Sequence, residues 1–122
     1  MKQRDARVYL YDALQACVLV CQFTAGKGHT DYSGDPFLRS AVERQLEIVG
    51  EAMNRALKCD PSLANELPES SKIIAFRNRL VHAYFAISDA VVWRIVESDV
   101  PILRDKLRRL LPPDEVAGKE MC

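Results

Sequence analysis

The strongest constraint on this chain is a long run of apolar residues at helical spacing, closed at both ends by an aspartate followed by a proline. Asp35-Pro36 opens it. The aspartate can accept hydrogen bonds from the free N–H groups of a first turn, and proline at the first helical position gives up only a donor that has no partner there. Phe37, Leu38, Ala41, Val42, Leu46, Val49, Ala52, Met53, Ala56 and Leu57 then keep the period until Asp60-Pro61 ends it, because the residue before a proline is pushed out of the helical region. A helix of this length with an apolar stripe must bury that stripe against other helices. Gly50 falls in its middle, at a cost near 1 kcal/mol relative to alanine, which predicts close approach by a neighbouring helix rather than a break.

The flanking segments supply the partners. Val8, Leu10, Tyr11, Leu14, Cys17, Val18 and Cys21 place a first helix at about residues 4–23, with apolar positions spread beyond one face. AGKGHTDYSG reads as a loop over residues 25–34, with His29 on its surface; its GKG lacks the upstream glycine and the Lys-Ser/Thr of a phosphate-binding loop. Residues 61–69 read as linker, Ser70 or Ser71 as the cap of a third helix through IIAFRNRLVHAY, and Ser88 as the cap of a fourth through DAVVWRIVES. Pro101 restarts or kinks the last helix, which runs through ILRDKLRRLL to Pro112-Pro113. No segment alternates with a two-residue period. The expected fold is an all-α, antiparallel, up-and-down bundle of four or five helices, forming one domain over residues 1–113 with a polar tail at 114–122.

Charge narrows the partner classes. The 17 basic and 17 acidic residues balance, so no global field singles out nucleic acid or membrane. Between Ser70 and Leu111, however, eight basic residues face four acidic ones, a local excess that fits a polyanion and that helix-end arginines would also produce. The charged N-terminal stretch and the absence of a long apolar run predict a cytoplasmic protein. The four cysteines, at 17, 21, 59 and 122, lack a second pair at zinc spacing and read as free thiols, so no metal site is expected.

The chemically loaded stretch is AFRNRLVHAYFAISD, residues 75–89. On a helix turning about 100° per residue, Asn78 and His82 share a face while Arg77 and His82 stand roughly 140° apart. Either the helix unwinds near His82, or a second copy of the chain completes the site. A histidine can take the proton of a ribose 2′-hydroxyl, and an arginine fork can hold the phosphate whose charge develops. Together they suit metal-independent RNA cleavage to a 2′,3′-cyclic phosphate, and the lack of a carboxylate cluster argues against a magnesium nuclease. The competing expectation is that Arg77 and Arg79 pair with acidic neighbours while His82 and Tyr84 pack. Spacing alone leaves both open.

RNRLVHAYF, with LEIVGEA upstream and VVWRIVESDVPILRDKL downstream, resembles the HepT-like branch of the HEPN superfamily. Its signature of Arg, four residues, His, one residue, Tyr is met by Arg77, His82 and Tyr84. The resemblance implies a homodimer with Arg and His of both copies at a cleft on the two-fold axis, and an RNase toxin of a two-gene toxin-antitoxin system that needs no cofactor. It also implies a minimal nucleotidyltransferase antitoxin of the MntA type, which transfers AMP to the motif tyrosine. Carried over, Arg77 and His82 are catalytic, Asn78 supports them, Arg79 contacts RNA, and Tyr84 is the modification site. Glu51, within GEA, is expected to pair with an arginine of the bundle, and Trp93 to pack in the core or a dimer seam. The alternative is a helical module that binds a nucleotidyltransferase or nucleotide and cuts nothing.

Overall fold

A computed structural model describes residues 5–82 and 88–112, without the side chains of residues 81 and 82. Its elements are α1 (Ala6–Thr24), α2 (His29–Ser33), α3 (Pro36–Cys59), α4 (Leu63–Glu66), α5 (Ser70–His82), α6 (Asp89–Arg94), a π-helical segment (Ile95–Asp99) and α7 (Val100–Leu110). The fold is an all-α helical bundle, and the described residues contain no strand. The central element is α3, which packs α1 on one side and α5 on another, while α7 closes against α1.

The framing aspartates behave as their chemistry requires. An Asp35 carboxylate oxygen accepts from the Phe37 and Leu38 N–H groups at 3.0 and 3.2 Å, and α3 runs unbroken for 24 residues to its cap at Asp60. Leu38, Val42, Leu46, Val49, Met53 and Ala56 form its buried stripe. They meet Leu10, Leu14, Cys17 and Val20 of α1, Ile73 and Phe76 of α5, and Leu103 and Leu107 of α7 in one core. Each such large side chain taken from water contributes about 1.5–3 kcal/mol before entropy is counted.

Three local expectations are corrected. Residues 25–34 are not all loop: Asp31 accepts the Gly28 N–H at 2.8 Å, α2 forms, and Tyr32 is swallowed whole, its ring 5.4 Å from that of Trp93. Residues 61–69 hold α4 and bury Leu63 and Leu67, so this connection is part of the core. Ser70 and Ser71 do not cap by accepting N–H groups; their hydroxyls donate back to the Leu67 and Pro68 carbonyls at 2.7 and 3.1 Å. Ser88 does take the N-cap position of α6, without a side-chain bond.

Pro101 does not restart the helix. The chain passes from α6 through the π segment into α7, and the Val100 N–H reaches back to the Ile95 carbonyl. A widened turn directly before a residue that lacks N–H absorbs the steric conflict a proline imposes on the preceding turn. Cys17 and Cys21 are free thiols, and burial pushes Cys17 well above the ordinary thiol range. No described helix is long and apolar enough to cross a membrane.

Candidate active site

On α5, Ile73, Phe76 and Leu80 recur at the spacing of one face and turn it toward the core. Arg77 stands one turn after Ile73, at a position that face would otherwise fill with an apolar residue. Gly50 makes room for it. A β-carbon at position 50 would lie far inside contact distance of the Arg77 Cβ and 3.0 Å from both its Cγ and the Ile73 carbonyl. The mid-helix glycine therefore marks a close approach of α3 and α5, as its cost implied.

From that contact the Arg77 side chain reaches Glu51, the next residue along α3. Nη2 of Arg77 lies 2.5 Å from Glu51 Oε2, and Nη1 donates to Asn78 Oδ1 at 3.0 Å. The Arg77 side chain keeps a quarter of its exposure. Its Nε is buried and has no hydrogen-bond partner among the described residues. Glu51 also accepts from Arg55 Nε at 2.7 Å. That bond, joined by the Arg77 charge and opposed by partial burial, holds the Glu51 carboxyl below its ordinary range. Glu51 thus pairs with bundle arginines as its motif suggested.

This network forms one wall of an open groove of about 650 Å³ between α1 and α3. Tyr9 and Asp12 of α1 face Arg44, Glu51 and Arg55 of α3 across it, and Arg77 closes its edge. The charges are matched in sign: Arg44 pairs with Glu47 at 3.1 Å, Arg55 with Glu51, and Tyr9 hydrogen-bonds Arg55. Tyr9 and Arg55 lie outside any motif, and the sequence signal for them was only the apolar spacing of the helices that carry them.

The other expected site residues fall elsewhere. Asn78 is exposed beside Arg77, and Arg79 is exposed on the opposite flank of α5, in a groove shared with α6 and the π segment. Because α5 stays helical through His82, the register keeps positions 77 and 82 roughly 140° apart on one chain. The unwinding alternative is absent as far as His82, whose side chain lies outside the description. Tyr84 also lies outside the described residues. Trp93 is buried against Tyr32 and has no face for a base. No group of three or more His, Cys, Asp or Glu able to hold a metal occurs among the described residues.

The described residues thus form an all-helical bundle in which an arginine is wedged over a helix crossing and position 82 lies at the end of the same helix. The family follows directly: residues 13–110 match the family described as "Ribonuclease HepT-like", and the chain belongs to the HepT-like ribonuclease family. "Putative RNase MJ1380" of Methanocaldococcus jannaschii is 33% identical over 109 residues, covering 88% of this chain and 97% of that protein. "Probable ribonuclease HepT" of Thermococcus cleftensis is 33% identical over 108 residues, with the same shares covered. "Gamma-glutamylcyclotransferase and putative RNase MJ0434" of M. jannaschii is 27% identical over 109 residues, which span 49% of its length. No solved structure matches with significance.

Proposed function

We propose that this chain is a metal-independent endoribonuclease whose active unit is a homodimer. The observation that carries the reading is the fixed position of Arg77. Its stem is wedged on Gly50 and its head is held by Glu51 at the rim of a groove, in a chain that belongs to a ribonuclease family. His82 takes the proton of the ribose 2′-hydroxyl. The freed oxygen attacks phosphorus as the bond to the 5′-oxygen breaks, the 5′-oxygen takes a proton from solvent, and a 2′,3′-cyclic phosphate remains. Arg77 stabilises the charge on the phosphoryl oxygens, its fork turning from Asn78 and Glu51 to the phosphate. Since one α5 presents positions 77 and 82 to different sides, the pair is assembled from two chains.

Within this reading the protein is the toxin of a toxin-antitoxin pair in the cytoplasm. A minimal nucleotidyltransferase silences it by transferring AMP from ATP to the Tyr84 hydroxyl, which loses its proton as pyrophosphate leaves, adding bulk and negative charge where an RNA phosphate would lie. Purified protein should cut RNA in the presence of EDTA, and Arg77→Ala or His82→Ala should lower the rate by about 10²-fold or more while circular dichroism stays unchanged. Incubation with the partner and ATP should add adenylyl mass, absent in Tyr84→Phe.

The Arg77–Glu51 pair is also what favours the second reading, a module that binds a nucleotidyltransferase and cuts nothing. Intact RNA with full partner binding would establish that one instead.

A further inference from the structure

The local basic excess of the C-terminal half comes to a focus on the flank of α5 that turns away from α3. There Lys72 and Arg79 of α5 and Arg94 of α6 line a groove of about 320 Å³ floored by Phe76 and Ile95. All three cations are exposed, and none forms an ion pair among the described residues. Arg44, Arg55, Arg77, Arg104 and Lys106, by contrast, each have a carboxylate partner. Asp99 is the one acid lining the groove, and it is largely buried. The groove therefore keeps a net positive charge, with Lys72 alone attracting the Asp99 carboxyl and no cation forming an ion pair among the described residues.

Lys72 and Arg79 are two turns apart on one side of the helix, separated by about 10 Å along its axis. In the same register position 82 follows Arg79 with an offset of only about 60°. The row of cations leads to the end of α5 where the histidine stands.

We propose that this groove binds the backbone phosphates of single-stranded RNA next to the scissile bond, with Lys72 and Arg94 as contacts alongside Arg79. The proposal rests on the ribonuclease reading for its ligand, and on charge complementarity for its site. Lysines and arginines without carboxylate partners exchange bound counterions for phosphate, and binding of this kind weakens steeply with salt.

The test is fluorescence anisotropy of the full chain with a labelled single-stranded oligonucleotide carrying 2′-O-methyl groups, which cannot be cut, across a series of salt concentrations. Lys72→Gln/Arg94→Gln should weaken binding about tenfold at low salt and reduce the slope of log affinity against log salt by about 1.4, the release of two counterions at about 0.7 each. The equal charge change at remote sites, Lys27→Gln/Arg109→Gln, should leave the slope in place, and Arg94→Lys should recover much of what Arg94→Gln loses. Unchanged affinity and slope in the groove variant would overturn the proposal, as would loss of nucleotidyltransferase binding with RNA binding intact. Wild-type protein that binds the oligonucleotide through these residues but never cuts RNA would remove the ribonuclease reading and leave the groove standing.

Discussion

The two flanks of α5 use the same residue types for opposite ends. Toward α3, Arg77 is wedged over Gly50, paired with Glu51 and tied to Asn78. Toward α6, Lys72, Arg79 and Arg94 surround a groove with no ion pair among the described residues. The first flank holds its cation in place through helix packing and a carboxylate; the second leaves its cations without a carboxylate contact among the described residues. A basic residue count would treat them alike. What separates them is the distance to the nearest carboxylate, a property of the assembled bundle.

The comparison breaks most visibly at Gly50. Gly50→Ala gains helix propensity worth about 1 kcal/mol, yet its methyl would collide with the Arg77 Cβ and the Ile73 carbonyl. Overpacking of this kind costs about 1–3 kcal/mol, so a net loss of about 1 kcal/mol and a lower melting temperature are expected. An Arg77→Ala/Gly50→Ala double variant should recover only a small part of the loss, since it removes the Cγ contact while the Cβ of residue 77 and the Ile73 carbonyl stay in the way. Thermal denaturation of the set measures it.

Glu51→Gln tests the polar half of the same flank. Both partners are partly solvated, so screening limits the cost to about 0.5–1 kcal/mol. The consequence for acid stability has a definite sign. With its folded-state pKa lowered by Arg55 and Arg77, Glu51 contributes stability that is present above its unfolded value, near pH 4, and lost as pH falls through the folded one. Glu51→Gln should therefore flatten the acid limb of a urea-midpoint profile. Asp99 works the other way: burial raises its pKa, so its contribution declines as pH rises through the ordinary carboxylate range, and Asp99→Asn should remove that decline.

On the far flank the smallest effect is the informative one. Lys72→Gln and Arg94→Gln should each alter stability by less than about 0.5 kcal/mol, because neither forms an ion pair among the described residues, and relief of mutual repulsion offsets the attraction of Lys72 for Asp99. A loss above 1 kcal/mol from either would show that the groove cations serve the fold after all, and the contrast between flanks would collapse. Chemical denaturation of the single variants checks this.

Much of this arrangement was legible in the residues. Asp35-Pro36 and Asp60-Pro61 bounded α3 because caps and prolines act within one turn. Gly50 announced a helix crossing because a mid-helix glycine is costly without one, and Glu51 beside it was expected to pair. Tyr32 and Leu67 were not legible. Each sits in a short polar stretch, and only the apolar surface presented by distant helices makes its burial favourable. The π turn before Pro101 was missed for a related reason: local rules predict that proline interrupts a helix, whereas the packing of Val96, Val100 and Leu103 on the core holds the chain helical across it. The ion-pair state of each arginine was hidden as well, since it depends on which side of α5 the carboxylates of other helices reach.

If Arg77 of one chain and His82 of another act on the same phosphate, two inactive variants should restore each other's activity when mixed. Arg77→Ala and His82→Ala proteins, each silent alone, are combined, allowed to exchange subunits, and assayed for RNA cleavage in EDTA. Mixed dimers keep one site with both wild-type residues, so the mixture should regain about a quarter of wild-type activity at random exchange. A mixture as inactive as its parents, with subunit exchange verified by mass, would mean that the two residues do not meet across a pair of chains.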